Sequence, residues 1–198
     1  MRDASKLIRP RLAAASRAAE EWLTAIDPNH LDTATLALHG LAKALCSVHS
    51  RSRIITAVER NRTTKPLRCS SLVSMSRNKL LRTLNSIAIH PRPFLMDSPS
   101  VAGRVVGALG LSYSWSDDVT VVASIVRAAG RLRLQDGFLN QCCLYLLNQQ
   151  SASGAFGLLA CGDGQSEFEH AIIRAHLKAT VDIIWALAAY QAGEAVVA

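Results

Sequence analysis

Four residues near the end of the chain have the types and spacing of a chemical site. Glu167, His170, Arg174 and Lys178 recur at intervals of three and four, which puts them on one stripe of a helix and within reach of one another. An acid, an imidazole and two cations so arranged can bind an anion or place a proton-transfer group. More often such a stripe is a solvated helix face with favourable ion pairs. His176 falls off the stripe, beside the apolar face, and reads as a buried or partner-facing histidine. Asp182 stands between Val181 and Ile183; a carboxylate in so apolar a helix needs a partner and can line a cavity. His170, Arg174 and Asp182 are therefore the candidate catalytic set. Asp163, Glu167 and His176 are the candidate ligand-binding residues. Asp163 belongs to "CGDGQSEFE", a glycine-flanked connector ahead of a helix N-terminus, where anions are favoured.

Other chemistries find less support. No phosphate-binding fingerprint is present, because the glycine spacing differs and no G-K-[ST] follows. Ser112 and Ser114 flank Tyr113 outside any G-x-S-x-G elbow. His30, His39 and His49 share no helix face. The five cysteines, Cys46, Cys69, Cys142, Cys143 and Cys161, include no C-x-x-C pair; they read as reduced thiols of a cytoplasmic protein, not as a disulfide framework or zinc site. No metal and no cofactor are expected.

The elements that must position these residues read as helices. Apolar residues are 49% of the chain and charged residues 19%, which argues against broad disorder. About Ala4 to Ala25 is amphipathic through Leu12, Ala15, Ala19, Trp22 and Leu23. "DPNH" breaks it, and Asp32 or Thr33 caps a second helix to about Val48, with Leu36, Leu41, Leu45 and Val48 as its stripe. Short helices are expected at about Ile54 to Asn61 and Ser76 to Ile89. "SVAGRVVGALGLSYSW" reads as a helix ending near Gly110. In "SDDVTVVASIVRAAGRL", Ser116 is the expected cap with Asp117 and Asp118 in the first turn; helix is preferred there over a strand at Val119 to Val122. "QDGFLNQCCLYLLNQQ" and "SEFEHAIIRAHLKATVDIIWALAAYQAG" are the clearest helices, the latter with Ser166 and Glu169 in a capping-box arrangement. Glu20 and Glu21 interrupt the first apolar region, unlike a secretory signal, and no run reaches the length of a membrane span.

Net charge is +7 and unevenly spread. Arg51 to Arg92 holds ten Lys or Arg residues against one acid, Glu59, for +9; the other 156 residues therefore sum to −2. Three divisions follow: an N-terminal helical pair over 1–50, a basic, irregular insertion or linker over 51–99, and a helical repeat region over 100–198. The basic segment raises a nucleic-acid alternative, with Arg77, Lys79 and Arg82 contacting phosphates in a salt-sensitive, sequence-neutral way. No aromatic residue lies between Arg51 and Pro93, so base stacking has no platform there.

"LYLLNQQSASGAFG", residues 144–157, ends the penultimate helix with a glutamine, a short polar spacer, a glycine and an aromatic residue. Gly154 and Gly157 admit backbone angles that other residues resist, Phe156 can plug the turn, and a glutamine amide can bond exposed backbone groups. The stretch resembles the QW-type repeat of the terpenoid cyclase and protein prenyltransferase α/α-toroid families. The resemblance implies that Gln149 or Gln150 ties the turn to its neighbour and that "TVDIIWALAAY" is the inner helix of a repeat. The families' catalytic motifs have no counterpart. Asp117–Asp118 lacks the leading aspartate of D-x-D-D and the trailing one of DDxxD, and no local zinc ligand set exists. A complete toroid needs about twelve helices, and this length has room for roughly seven or eight.

The expected fold is all-α, an antiparallel helical array with the character of a partial α/α toroid. The expected role is an accessory protein binding a small apolar or peptide ligand, or a protein partner or second copy, in a groove between helices. Secondary metabolism suits the alanine- and arginine-rich composition. An enzyme with a cavity lined by the last helix is the main alternative.

Overall fold

In the computed structural model, residues 3–47, 69–89, 98–157 and 166–195 are described. Their eight α-helices are α1 (Asp3–Ala25), α2 (Thr33–Cys46), α3 (Cys69–Val73), α4 (Arg77–Ile89), α5 (Pro99–Ser114), α6 (Val119–Arg131), α7 (Gly137–Leu147) and α8 (Ser166–Ala195), with a 3-10 turn at Pro28–His30 between the first two. The protein is all-α among these residues. None of the described helices is long and apolar enough to cross a membrane.

α6 explains the arrangement. Ten consecutive residues, Val121 to Gly130, are buried, Ser124 and Arg127 among them, and a helix buried on every side must be surrounded by other elements. It packs most extensively on α8, with α4 and α5 on other flanks; α7 lies against α5, α1 against α7, and α2 against α8 and α1. One continuous core runs from Ile8 and Leu12 of α1 to Leu187 and Tyr190 of α8, so the N-terminal helices share the core of the C-terminal ones. α6 and α8 approach to backbone distance at two glycines. A methyl on Gly130 would lie 2.5 Å from the main chain of Ala189 and Tyr190, and one on Gly193 would lie 2.6 Å from the Gly130 carbonyl oxygen.

Several boundaries differ from expectation, each for a local reason. α5 continues past Gly110 to Ser114. Its glycines serve close packing instead of termination: a methyl at Gly107 would sit 2.8 Å from Phe138 Cβ, and one at Gly110 would sit 2.7 Å from Cys142 Sγ. The cap of α6 is Asp118, which accepts from the Val121 amide. Ser116 instead bonds back to the Tyr113 carbonyl at 3.1 Å and belongs to the end of α5, while Asp117 takes φ +52° in the turn. Val119 to Val122 are helical, not a strand. In α2, Asp32 is the cap, accepting from the Ala34 and Thr35 amides. Its buried face is Thr35, His39, Ala42, Leu45 and Cys46, whereas Leu36 is exposed. His39 fits there because its Nε2–H donates to the Leu23 carbonyl at 2.8 Å. The helix expected at Ile54 to Asn61, Val48 and the Ser166 and Glu169 side chains lie outside the described residues.

Candidate functional site

The polar residues of α8 take different partners. Arg174 is exposed and turned towards α2, where its charge helps hold the Asp32 carboxyl below its ordinary value, behind the larger effect of hydrogen bonds from Thr35. Lys178 and Asp182, one turn apart, pair at 2.7 Å. His176 is buried; its Nδ1–H donates to the Phe156 carbonyl at 2.8 Å, and its ring meets Trp22 edge-on at 6.2 Å. Glu167 and His170 lie on α8, but their side chains are outside the described residues, as is Asp163 entirely. Of the candidate catalytic set, the structure therefore places Asp182 and Arg174, and it does not bring those two to one site.

Asp182 has the partner its apolar setting demands. Arg127 of α6, whose side chain is 10% exposed, brings Nη1 to 4.0 Å from Asp182 Oδ1. The same guanidinium donates through Nη2 to Asn85 Oδ1 of α4 at 2.5 Å and stacks 4.8 Å over the Trp185 ring. Its Nε has no hydrogen-bond partner among the described residues. Burial lowers the Arg127 pKa and Asp182 opposes that shift. Arginine nevertheless keeps its proton in proteins, so a charged guanidinium is held inside the helix array. Sequence inspection singled out Asp182 and missed Arg127. The signal was present: each is a charge flanked by apolar residues within a helix, and the charges are opposite.

Asp182 also borders a cleft of about 250 Å³ between the start of α6 and the middle of α8. Val119, Thr120, Ala175, Ala179, Lys178 and Asp182 line it, with His176 and Gly157 at one side. Gly157 takes φ +129°, and a methyl there would lie 2.9 Å from His176 Nδ1. The wall is thus mainly small and apolar, with charge concentrated at Lys178 and Asp182. Arg174 is not part of it.

The turn entering this wall is tightly built. Gln150 Nε2 donates to the Ala15 carbonyl of α1 at 2.8 Å and to the Gly154 carbonyl at 2.9 Å. Gln149 contributes its main chain, accepting from the Gly157 amide at 3.1 Å. Phe156 is fully buried, and its amide donates to Thr180 Oγ1 of α8 at 3.3 Å. Gly154 takes φ +91°, and any side chain there would collide with the Ala18 carbonyl. A chain of contacts thus joins α1, the turn, α8 and the cleft.

The basic candidates separate. Arg77 Nε and Nη2 form a bidentate pair with Asp118 at 2.5 and 3.0 Å. That hydrogen bonding holds the Asp118 carboxyl below its ordinary value and raises Arg77. Arg77 is therefore engaged in clamping the N-terminus of α6 to α4. Lys79 and Arg82 are exposed; residues 51–68 lie outside the described ones. Cys46, Cys142 and Cys143 are buried, and burial pushes the Cys142 thiol up to about 12, far from a reactive thiolate. Among the described residues, no three His, Cys, Asp or Glu side chains group as metal ligands.

No protein-family model, curated protein or solved structure matches the chain.

Proposed function

We propose that the protein binds a small, largely apolar molecule in the cleft between α6 and α8. The observation that carries this reading is the cleft itself: an alanine- and valine-lined recess of about 250 Å³ with its charged groups confined to Lys178 and Asp182. Ligand sites for drug-sized molecules span about 300–1,000 Å³ and combine apolar walls with a few placed polar groups. This one has that composition and suits a smaller guest. Its apolar walls and single ion pair suit binding. The Gln150 tie and the Phe156 plug support a toroid-like repeat joint, whose role here is to hold His176 and Gly157 at the wall.

The test is a titration with 1-hexanol, a neutral probe of suitable size, followed by amide shifts in a ¹⁵N-labelled sample. Shifts are expected to cluster at Val119, Thr120, Gly157 and residues 175–182, and to disappear in Ala179→Phe, which fills the recess. Shifts spread over the surface, or unaltered by Ala179→Phe, would overturn the reading.

A further inference from the structure

The charges around the cleft indicate which class of apolar molecule it takes, an inference that rests on the cleft being a ligand site. Arg127 is buried against α8, and among the described residues Asp182 is the acid within ion-pair distance of it. Its other contacts, the Asn85 carbonyl oxygen and the Trp185 ring, are uncharged. A buried cation needs a counterion, and removing its partner is strongly unfavourable. Asp182 is thus committed inward through Oδ1, while Lys178 meets its outer oxygen, Oδ2, at 2.7 Å. Asp118, beside Val119 at the cleft's edge, is likewise neutralised by Arg77. Among the described ion pairs, two cations, Arg127 and Lys178, therefore share the single carboxylate of Asp182, leaving one positive charge in excess there. Lys178 is the mobile member, with a side chain 60% exposed against 10% for Arg127. Its four-carbon stem can turn the ammonium from Asp182 towards a guest. Thr120 adds a hydroxyl on the α6 wall. A cationic guest would compete with Lys178 for Asp182 and face Arg127 behind it.

We infer that the ligand is a small apolar carboxylate, its anion paired with Lys178 and its hydrocarbon body against Val119, Ala175 and Ala179. The probes are hexanoate, 1-hexanol and hexylammonium, which share a chain and differ in charge, titrated by calorimetry at low salt. Hexanoate is expected to bind up to about fivefold more tightly than hexanol, as a half-exposed ion pair contributes, with hexylammonium the weakest. Added salt should shrink the difference between hexanoate and hexanol, and Lys178→Gln should erase it. Lys178 is exposed enough for that variant to fold. If hexanol binds while hexanoate is no tighter, if hexylammonium is tightest, or if Lys178→Gln keeps the preference, the carboxylate assignment is wrong and the cleft reading stands. If none of the three binds, the cleft reading itself is overturned, and this inference with it.

Discussion

Asp182 carries two duties that the sequence could only half disclose. Its setting between Val181 and Ile183 announced a carboxylate in need of a partner. Lys178, one turn away, was an evident neighbour. Arg127 was not, because it lies 55 residues earlier and only the crossing of α6 and α8 brings it near. The crossing makes Asp182 the counterion of a buried cation as well as part of the cleft wall. Asp182→Ala is accordingly expected to cost about 3 kcal/mol, towards the lower end for breaking a buried pair, because Asp182 itself is a quarter exposed. Replacing both charges, in Arg127→Leu with Asp182→Leu, should recover most of that loss. Urea unfolding checks both; a single variant within about 0.5 kcal/mol of the parent would show that Arg127 does not depend on Asp182.

Elements were more legible than their ends. Apolar periodicity located α1, α7 and α8, and the acid-rich "SDD" signalled the start of a helix. Which acid caps α6 was decided by tertiary structure: Arg77 of α4 reaches Asp118, and Ser116 is drawn back to α5. Asp118→Ala is expected to cost about 1–2 kcal/mol through the lost cap, while Asp118→Asn keeps a capping oxygen and loses the charge pair, falling between. The Asp118 carboxyl is lowered by hydrogen bonding to Arg77 from the ordinary value of 3.8. Its contribution is therefore fully present above that unfolded value and lost as pH falls through the lower folded one. Thermal melts between about pH 6 and about pH 2 should show less acid destabilisation in Asp118→Asn than in the parent; equal losses would mean that the pair carries no pH-dependent stability. The glycines misled in the other direction. Gly110 looked like a helix stop because sequence reveals the missing side chain but not the Cys142 sulfur that needs the space.

For the molecule as a whole, the helical class followed from composition and periodicity, but the pairing of helices did not. That α2 covers α8, or that Gln150 bonds to α1 across 135 residues, depends on long-range contacts that local patterns do not encode. The cleft belongs to this scale. It exists because α6 and α8 meet closely at Gly130 and Gly193, while Val119 and Thr120, at the other end of α6, leave a recess beside Ala175 and Ala179. The most direct test is a crystal soaked with 6-bromo-1-hexanol, whose bromine is located by anomalous scattering. A single strong peak is expected in the recess bounded by Val119, Ala175 and Ala179, absent from Ala179→Phe crystals. Bromine bound elsewhere with the recess empty at saturating concentration would contradict the cleft reading.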